Sequence, residues 1–223
     1  SGTVGFLWNF WHDLPYTGDS YFALYGTSDV TLVYQPEPGG RWFHVPGRPT
    51  FIDHAALSWT GGWINTASCP IEMGEEHWLY FSGVPISHGF YLDPRWQVLD
   101  RWTEWTTRHG KGGITFARWP KWRLFGFESD PDGSFTIDLG PVAGPSELVL
   151  NYRTRPGGSV RVELPDVAGR ALADAVPLTG DSLGGKAAWK GGTLIAPSGG
   201  RRLQARLHLE LATVYAYELR TVA

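Results

Sequence analysis

The sequence predicts an all-β protein, with repeated strand modules in its front half and an antiparallel β-sandwich in its back half. Composition is the first sign. Gly 29 and Pro 16 among 223 residues cut the chain into short segments, and Trp 12, Tyr 9 and Phe 11 supply the large side chains that suit pleated, half-buried surfaces. Periodicity is the second: beyond Ser134, apolar and polar residues alternate in the manner of strands with one solvated face.

Taken in order, residues 5 to 11, Gly-Phe-Leu-Trp-Asn-Phe-Trp, read as a strand that stops at His12-Asp13-Leu14-Pro15. An apolar run, Tyr21 to Tyr25, follows the Thr17-Gly18-Asp19 turn. Val30 to Tyr34 and Arg41 to Val45 then form a hairpin-like pair across Gln-Pro-Glu-Pro-Gly-Gly, and Pro46-Gly47-Arg48-Pro49 closes that unit. After a connecting loop, Phe51 to Trp63, comes a strand from Ala67 to Met73. A Gly74-Glu75-Glu76 turn leads into a second strand, His77 to Ser82, and Gly83, Pro85 and Gly89 break the chain around His88.

Gly113 to Trp119 is expected to pair with Arg123 to Glu128 across Pro120-Lys121. The two stretches align, Phe6 to His12 with Trp78 to Gly83 and Val30 to Tyr34 with Ile114 to Arg118, so two four-stranded modules are implied, the first without its opening strand. The insert from Pro85 to Lys111 carries apolar residues at 96, 98, 99, 102 and 105, spacings that permit a short amphipathic helix serving as a lid or as a packing flap.

Ser129-Asp-Pro-Asp-Gly133 marks the joint between a front domain, 1–128, and a back domain, 129–223. Leu148, Leu150 and Tyr152 alternate with Asn151 and Arg153. Pro156-Gly-Gly makes a turn, and Val160, Val162 and Leu164 repeat the pattern. Leu203, Ala205, Leu207, Leu209 and Leu211 alternate with polar residues, and Thr213 to Leu219 is a last strand. This is the pattern of a two-sheet antiparallel sandwich.

Charge and cysteine content narrow the functional classes. A net charge of -3 and a pI near 6.1 provide no basic field for following phosphates, so no nucleic-acid partner is expected. No apolar run reaches the roughly 20 residues that span a bilayer, and no membrane partner is expected. Cys69 is the single cysteine, which excludes an internal disulfide; Ser68, Pro70 and Ile71 beside it favour a buried thiol. The glycine pairs at 39-40, 157-158 and 191-192 lie in turns between strands, without the strand-to-helix context of a phosphate loop. No cofactor is implied. His44, His54 and His77 are too scattered for a zinc site.

Several stretches carry a family likeness: residues 67 to 83, Gly113-Ile-Thr-Phe-Ala-Arg118, residues 150 to 164, Leu178-Thr-Gly-Asp181 and Val214-Tyr-Ala-Tyr217. On these the chain resembles the C-terminal portion of five-bladed β-propeller glycoside hydrolases with an appended sandwich, of the invertase/levanase and arabinanase kind. The resemblance implies a partial β-propeller of about two blades followed by an antiparallel β-sandwich. It also implies that the catalytic carboxylates, which the family carries on its first three blades, have no counterpart here, so the chain is expected to lack the full catalytic set on its own. A second copy or a further N-terminal chain segment would then complete the propeller.

Blade geometry collects Trp11, His12 and Asp13 on one face with Ser87, His88 and the 51–63 loop. The candidate carbohydrate-binding residues are therefore Trp11, His12, Asp13, Asp53, Trp63 and His88. Indole faces stack on sugar C–H faces, and imidazole donates or accepts hydrogen bonds at neutral pH. No carboxylate pair can be assigned as catalytic from spacing. Two other functions stay open: a non-catalytic carbohydrate-binding protein, and an interaction protein that pairs its exposed strand edges with another chain.

Overall fold

A computed structural model describes residues 2–12, 26–57, 59–88 and 111–222. The chain divides into two compact units, Ser1–Arg118 and Trp119–Ala223. Residues 119–128, read from sequence as the end of the front half, belong to the second unit. Among the described residues the secondary structure is β throughout, apart from one 3-10 turn at Leu172–Asp174, and no sheet closes into a barrel. The apolar run 21–25 and the expected helix within 94–106 lie outside the described residues.

The first unit contains two antiparallel sheets. In one, β1 (Thr3–His12) pairs along its whole length with β2 (Gly26–Gln35), from Thr3 opposite Gln35 to His12 opposite Gly26. The other edge of β2 carries β3 (Phe43–His44) and β4 (Thr50–Ile52). The hairpin read between 30–34 and 41–45 is present, with Tyr34 opposite Phe43. Gln35 clasps its turn: Nε2 donates to the Gly40 carbonyl at 2.6 Å, and Oε1 accepts from the Gly39 amide at 3.3 Å.

The second sheet contains β5 (Trp63–Thr66), β6 (Ile71–Met73), β7 (Glu76–Val84) and β8 (Gly113–Pro120). Both β5 and β6 pair with β7, as two halves of one interrupted strand. Between the Thr66–Phe81 and Ile71–Trp78 pairs it spends residues 67–70 where β7 spends 79–80. Such a bulge tolerates Pro70, which has no amide to give a ladder. The sequence predicts a continuous strand through 67–73 and a loop at Trp63; the bulge hides the true strand because it breaks the period-two alternation. The same bulge leaves Cys69 exposed, where a buried thiol was expected.

A further correction concerns β8, which pairs with β7 and not with residues 123–128. Phe127–Glu128, β9, instead joins a strand of the second unit. The two sheets of the first unit nonetheless share one plan: a long strand, a long connection, then an antiparallel partner, as β1–β2 and as β7–β8. Buried Val30, Leu32 and Ile52 of one sheet and Ile64, Leu79 and Phe81 of the other form the unit's apolar interior. Polar links run between the sheets. The Trp8 indole donates to Thr66 Oγ1 at 2.9 Å, and the fully buried Ser28 hydroxyl both donates to the Ile64 carbonyl at 3.1 Å and accepts from its amide at 2.8 Å.

In the second unit, β10 (Asp132–Pro141), β16 (Arg202–Thr221), β11 (Ser146–Glu163) and β13 (Asp181–Lys186) lie side by side in that order. β15 (Leu194–Ile195) also pairs with β11 and β9 with β16, while β12 (Ala175–Val176) and β14 (Ala188–Trp189) form a small separate pair. The long strands β11 and β16 run antiparallel along most of their lengths. Pro156-Gly157-Gly158 is therefore not a turn between two strands. Residues 155–158 of β11 bulge opposite the single residue Leu211 of β16, between the Thr154–Ala212 and Ser159–Glu210 pairs.

Leu211 takes a left-handed φ of 44°, and its amide donates to the Pro131 carbonyl at 2.6 Å. Inward positions change parity there. Leu203, Ala205, Leu207 and Leu209 are buried before it, and Ala212 and Val214 after it, so Leu211 is not the fifth member of the alternating series. One cluster unites Leu148, Leu150 and Tyr152 with Val160, Val162 and Leu164, drawing on β11 to either side of its bulge.

Candidate functional site

The side chains of β1 alternate between the two faces of its sheet, which separates the candidates the sequence placed side by side. Trp8, Phe10 and His12 share one face; Trp11 points the other way. There the Trp11 indole donates to Asp29 Oδ2 at 2.8 Å, and Asn9 Nδ2 donates to Asp29 Oδ1 at 2.8 Å, so the buried Asp29 is held by two donors from β1.

On the first face an aromatic cluster forms around Phe10. Its ring lies edge-on to His12 at 4.8 Å, to Trp63 at 5.5 Å and to His88 at 5.7 Å, and Trp63 and His88 lie 4.4 Å apart at 33°. Three chain segments meet because Gly26, opposite His12 in the ladder, exchanges two backbone hydrogen bonds with His88, at 2.8 and 3.1 Å. A Cβ at residue 26 would run into the Trp11 carbonyl and press on the Phe10 ring at 3.1 Å. Gly26→Ala is therefore expected to destabilise the first unit by about 2–3 kcal/mol and to disperse the cluster. Thermal melting with near-ultraviolet circular dichroism reads both effects.

Trp63 also walls a neighbouring cleft of about 280 Å³, shared with Asn65, Ser82, Gly83, Val84, Gly112, Gly113 and Ile114. Trp63 and Asn65 alternate onto one face of β5, and Val84 and Ser82 stand directly opposite them on β7. Among the described residues the lining thus offers an indole surface, one amide and one hydroxyl, and no charged side chain. The glycines bring β8 close: a Cβ at Gly112 would lie 2.6 Å from the Gly83 carbonyl oxygen. Such a lining suits an uncharged ligand with an apolar face and several hydroxyls.

Of the six sequence candidates, His12, Trp63 and His88 come together. Trp11 lies on the opposite face of β1, and Asp13 is outside the described residues. Asp53 is engaged in its own turn, where Oδ1 accepts from the Ala55 amide at 2.8 Å and stands 3.5 Å from His54 Nδ1. Phe10, Asn65 and Ser82 were missed. Their role depends on β5 being a strand in register with β7, and the bulge at 67–70 obscures that register.

Two other concavities lack this chemistry. One of about 750 Å³ at the β11 bulge includes Arg155, Arg161 and Glu210 but, among the described residues, no aromatic side chain. Arg155 is already bound to Asp130 at 3.2 Å and to the Ser129 carbonyl at 3.1 Å. The other, of about 370 Å³, is walled by Phe6, Leu7, Val33, Trp42 and Phe43, with His44 beside them.

No family model matches the chain, and comparison with curated proteins and with solved structures found no match.

Proposed function

We propose that the chain is a carbohydrate-active protein of the propeller glycoside hydrolase type that binds sugar at the Trp63 cleft and does not hydrolyse glycosides on its own. One observation carries the proposal: a cleft in which the Trp63 indole stands beside the Asn65 amide and the Ser82 hydroxyl, with no charged side chain among the described residues. A pyranose or furanose ring has an apolar C–H face for the indole and hydroxyls for the two polar groups. The ring cluster behind Trp63 holds its plane, which lowers the entropic cost of binding. The repeated strand plan of the first unit supports a partial propeller. The single core enclosed by both halves of β11 and β16 supports a sandwich in the second.

Among the described residues no carboxylate lines the cleft, and glycoside hydrolysis calls for a pair of them. The test is a glycan array followed by calorimetry on the best ligand. Trp63→Ala is expected to weaken binding about tenfold or more, equivalent to about 1.4 kcal/mol, and Asn65→Ala to weaken it by a smaller factor. Trp11→Ala, on the far face of β1, should leave affinity unchanged. Saturable binding without turnover of aryl glycosides is the expected pattern; turnover, or equal affinity of the Trp63→Ala and parent chains, overturns it.

A further inference from the structure

The bulge of β11 is pinned at both of its feet. At one, the Thr154 amide donates to the Gly180 carbonyl at 2.7 Å, and Thr154 Oγ1 accepts from the Gly180 amide at 2.8 Å. At the other, Val160 and Leu178 exchange two backbone hydrogen bonds of 2.9 Å. Between these anchors β11 spends residues 155–159 where the facing segment spends Thr179 alone, and the Tyr152 hydroxyl fixes the Thr179 carbonyl at 3.1 Å. Extra residues on one side of a ladder bend that strand away from its neighbour. The arch borders the concavity of about 750 Å³, a size that suits a small ligand.

The lining carries opposite charges that do not meet. Ser159 and Arg161 stand on the outward row of β11, since Val160 and Val162 are buried, and they lie opposite Glu210 and His208 of β16. Arg161 and Glu210 are thus diagonal neighbours on one face, a placement in which opposite charges can join. Among the described residues neither side chain has a hydrogen bond or ion pair. The charges around them are matched, His208 with Glu163 at 3.0 Å and Arg155 with Asp130 at 3.2 Å. One guanidinium and one carboxylate therefore stay open to a ligand, with the hydroxyls of Thr154, Ser159 and Thr179 beside them.

We propose that this concavity binds a small polyhydroxylated carboxylate of the uronic acid class. Arg161 presents a planar fork of N–H donors that matches a carboxylate. Glu210 accepts from ring hydroxyls, the three lining hydroxyls donate and accept, and Pro156 and Pro177 meet the C–H faces of the ring. The two charges set the charge of the ligand: Arg161 selects an anion, and Glu210 repels a second negative charge, so a monocarboxylate is preferred to sulfate. With both feet of the arch hydrogen-bonded, the site is formed before the ligand arrives, which lowers the cost of binding. It lies wholly within the second unit and shares no residue with the Trp63 cleft, so either can fail without the other.

The test is calorimetric titration of the full chain with D-glucuronate, D-glucose and inorganic sulfate. Saturable binding of D-glucuronate is expected, at least tenfold tighter than that of either of the others. Arg161→Gln should weaken it tenfold or more. Glu210→Gln should weaken D-glucuronate and strengthen sulfate, a reversal that a merely structural role would not produce. Trp63→Ala should leave D-glucuronate affinity unchanged, and thermal melting checks that every variant is folded. Five results overturn the site: no saturable binding, equal affinity for D-glucose or for sulfate, parental affinity in Arg161→Gln, no gain in sulfate affinity in Glu210→Gln, or weakened D-glucuronate binding in Trp63→Ala.

Discussion

Trp189→Ala is expected to destabilise the second unit by about 3–5 kcal/mol, the cost typical of truncating a large aromatic side chain in a core. Trp189 is 2 % exposed and packs in the cluster that includes Val162, Leu164 and Ile195. Its indole Nε1 donates to the Val162 carbonyl at 2.9 Å, and the Arg170 guanidinium lies over its ring at 5.0 Å. The truncation leaves a void and a carbonyl on β11 without its donor. Trp189→Phe restores much of the volume but not the donor, and should recover part of the loss. Urea denaturation of both variants, followed by backbone circular dichroism, measures the difference.

Arg123→Ala comes next, with an expected loss of about 2–3 kcal/mol. The side chain is 9 % exposed and binds two strands of the second unit, β11 and β13: Nε donates to Asn151 Oδ1 at 2.7 Å, and Nη2 to the Tyr152 carbonyl at 3.3 Å and to Asp181 at 2.5 Å. The guanidinium also lies over the Tyr215 ring at 4.9 Å. The Asn151 amide, which donates to the Lys121 carbonyl at 2.8 Å, would lose the partner of its oxygen while staying buried.

The hydrogen bond from Arg123 holds the Asp181 carboxyl below its ordinary pKa of 3.8, against a smaller opposing effect of burial. A pKa depressed by folding contributes stability above the unfolded value, and that contribution fades as pH falls through the folded value. The gap in stability between the parent chain and Arg123→Ala should therefore be full at pH 7 and narrow below about pH 4. Because the Asp181 side chain is 55 % exposed, Asp181→Asn should cost less than about 1 kcal/mol.

The parts of the fold that were legible in the sequence are those where one physical signal dominates. Leu148, Leu150 and Tyr152 are buried as their alternation indicates, and so are Val160, Val162 and Leu164. The hairpin through Gly39 and Gly40 follows from its turn residues. Bulges were the recurrent obstacle. Each adds residues to one strand only, so the alternation breaks at 67–70 and at 155–158 although pairing resumes on the same partner. Reading the first as the start of a strand and the second as a turn gave the wrong neighbours for Trp63 and Gly157.

The site shows the same division. His12, Trp63 and His88 were named from residue type and position near breaks in the chain, and the structure sets all three around Phe10. Trp11 was grouped with His12 by adjacency, yet adjacent residues on a strand face opposite ways. Asp53 was chosen for its carboxylate; the turn it caps uses that group locally, a competition that short polar side chains regularly win.

Leu211 works as a spacer of one residue. If it were excised, odd and even positions would exchange beyond it, and Leu203 through Val214 would read as one unbroken inward row. The strand would then have a sequence suited to lying straight, and nothing in its pattern would call for a bend. A single left-handed leucine, met by four residues across the ladder, thus lets one pair of strands feed the same core from either side of a bulge.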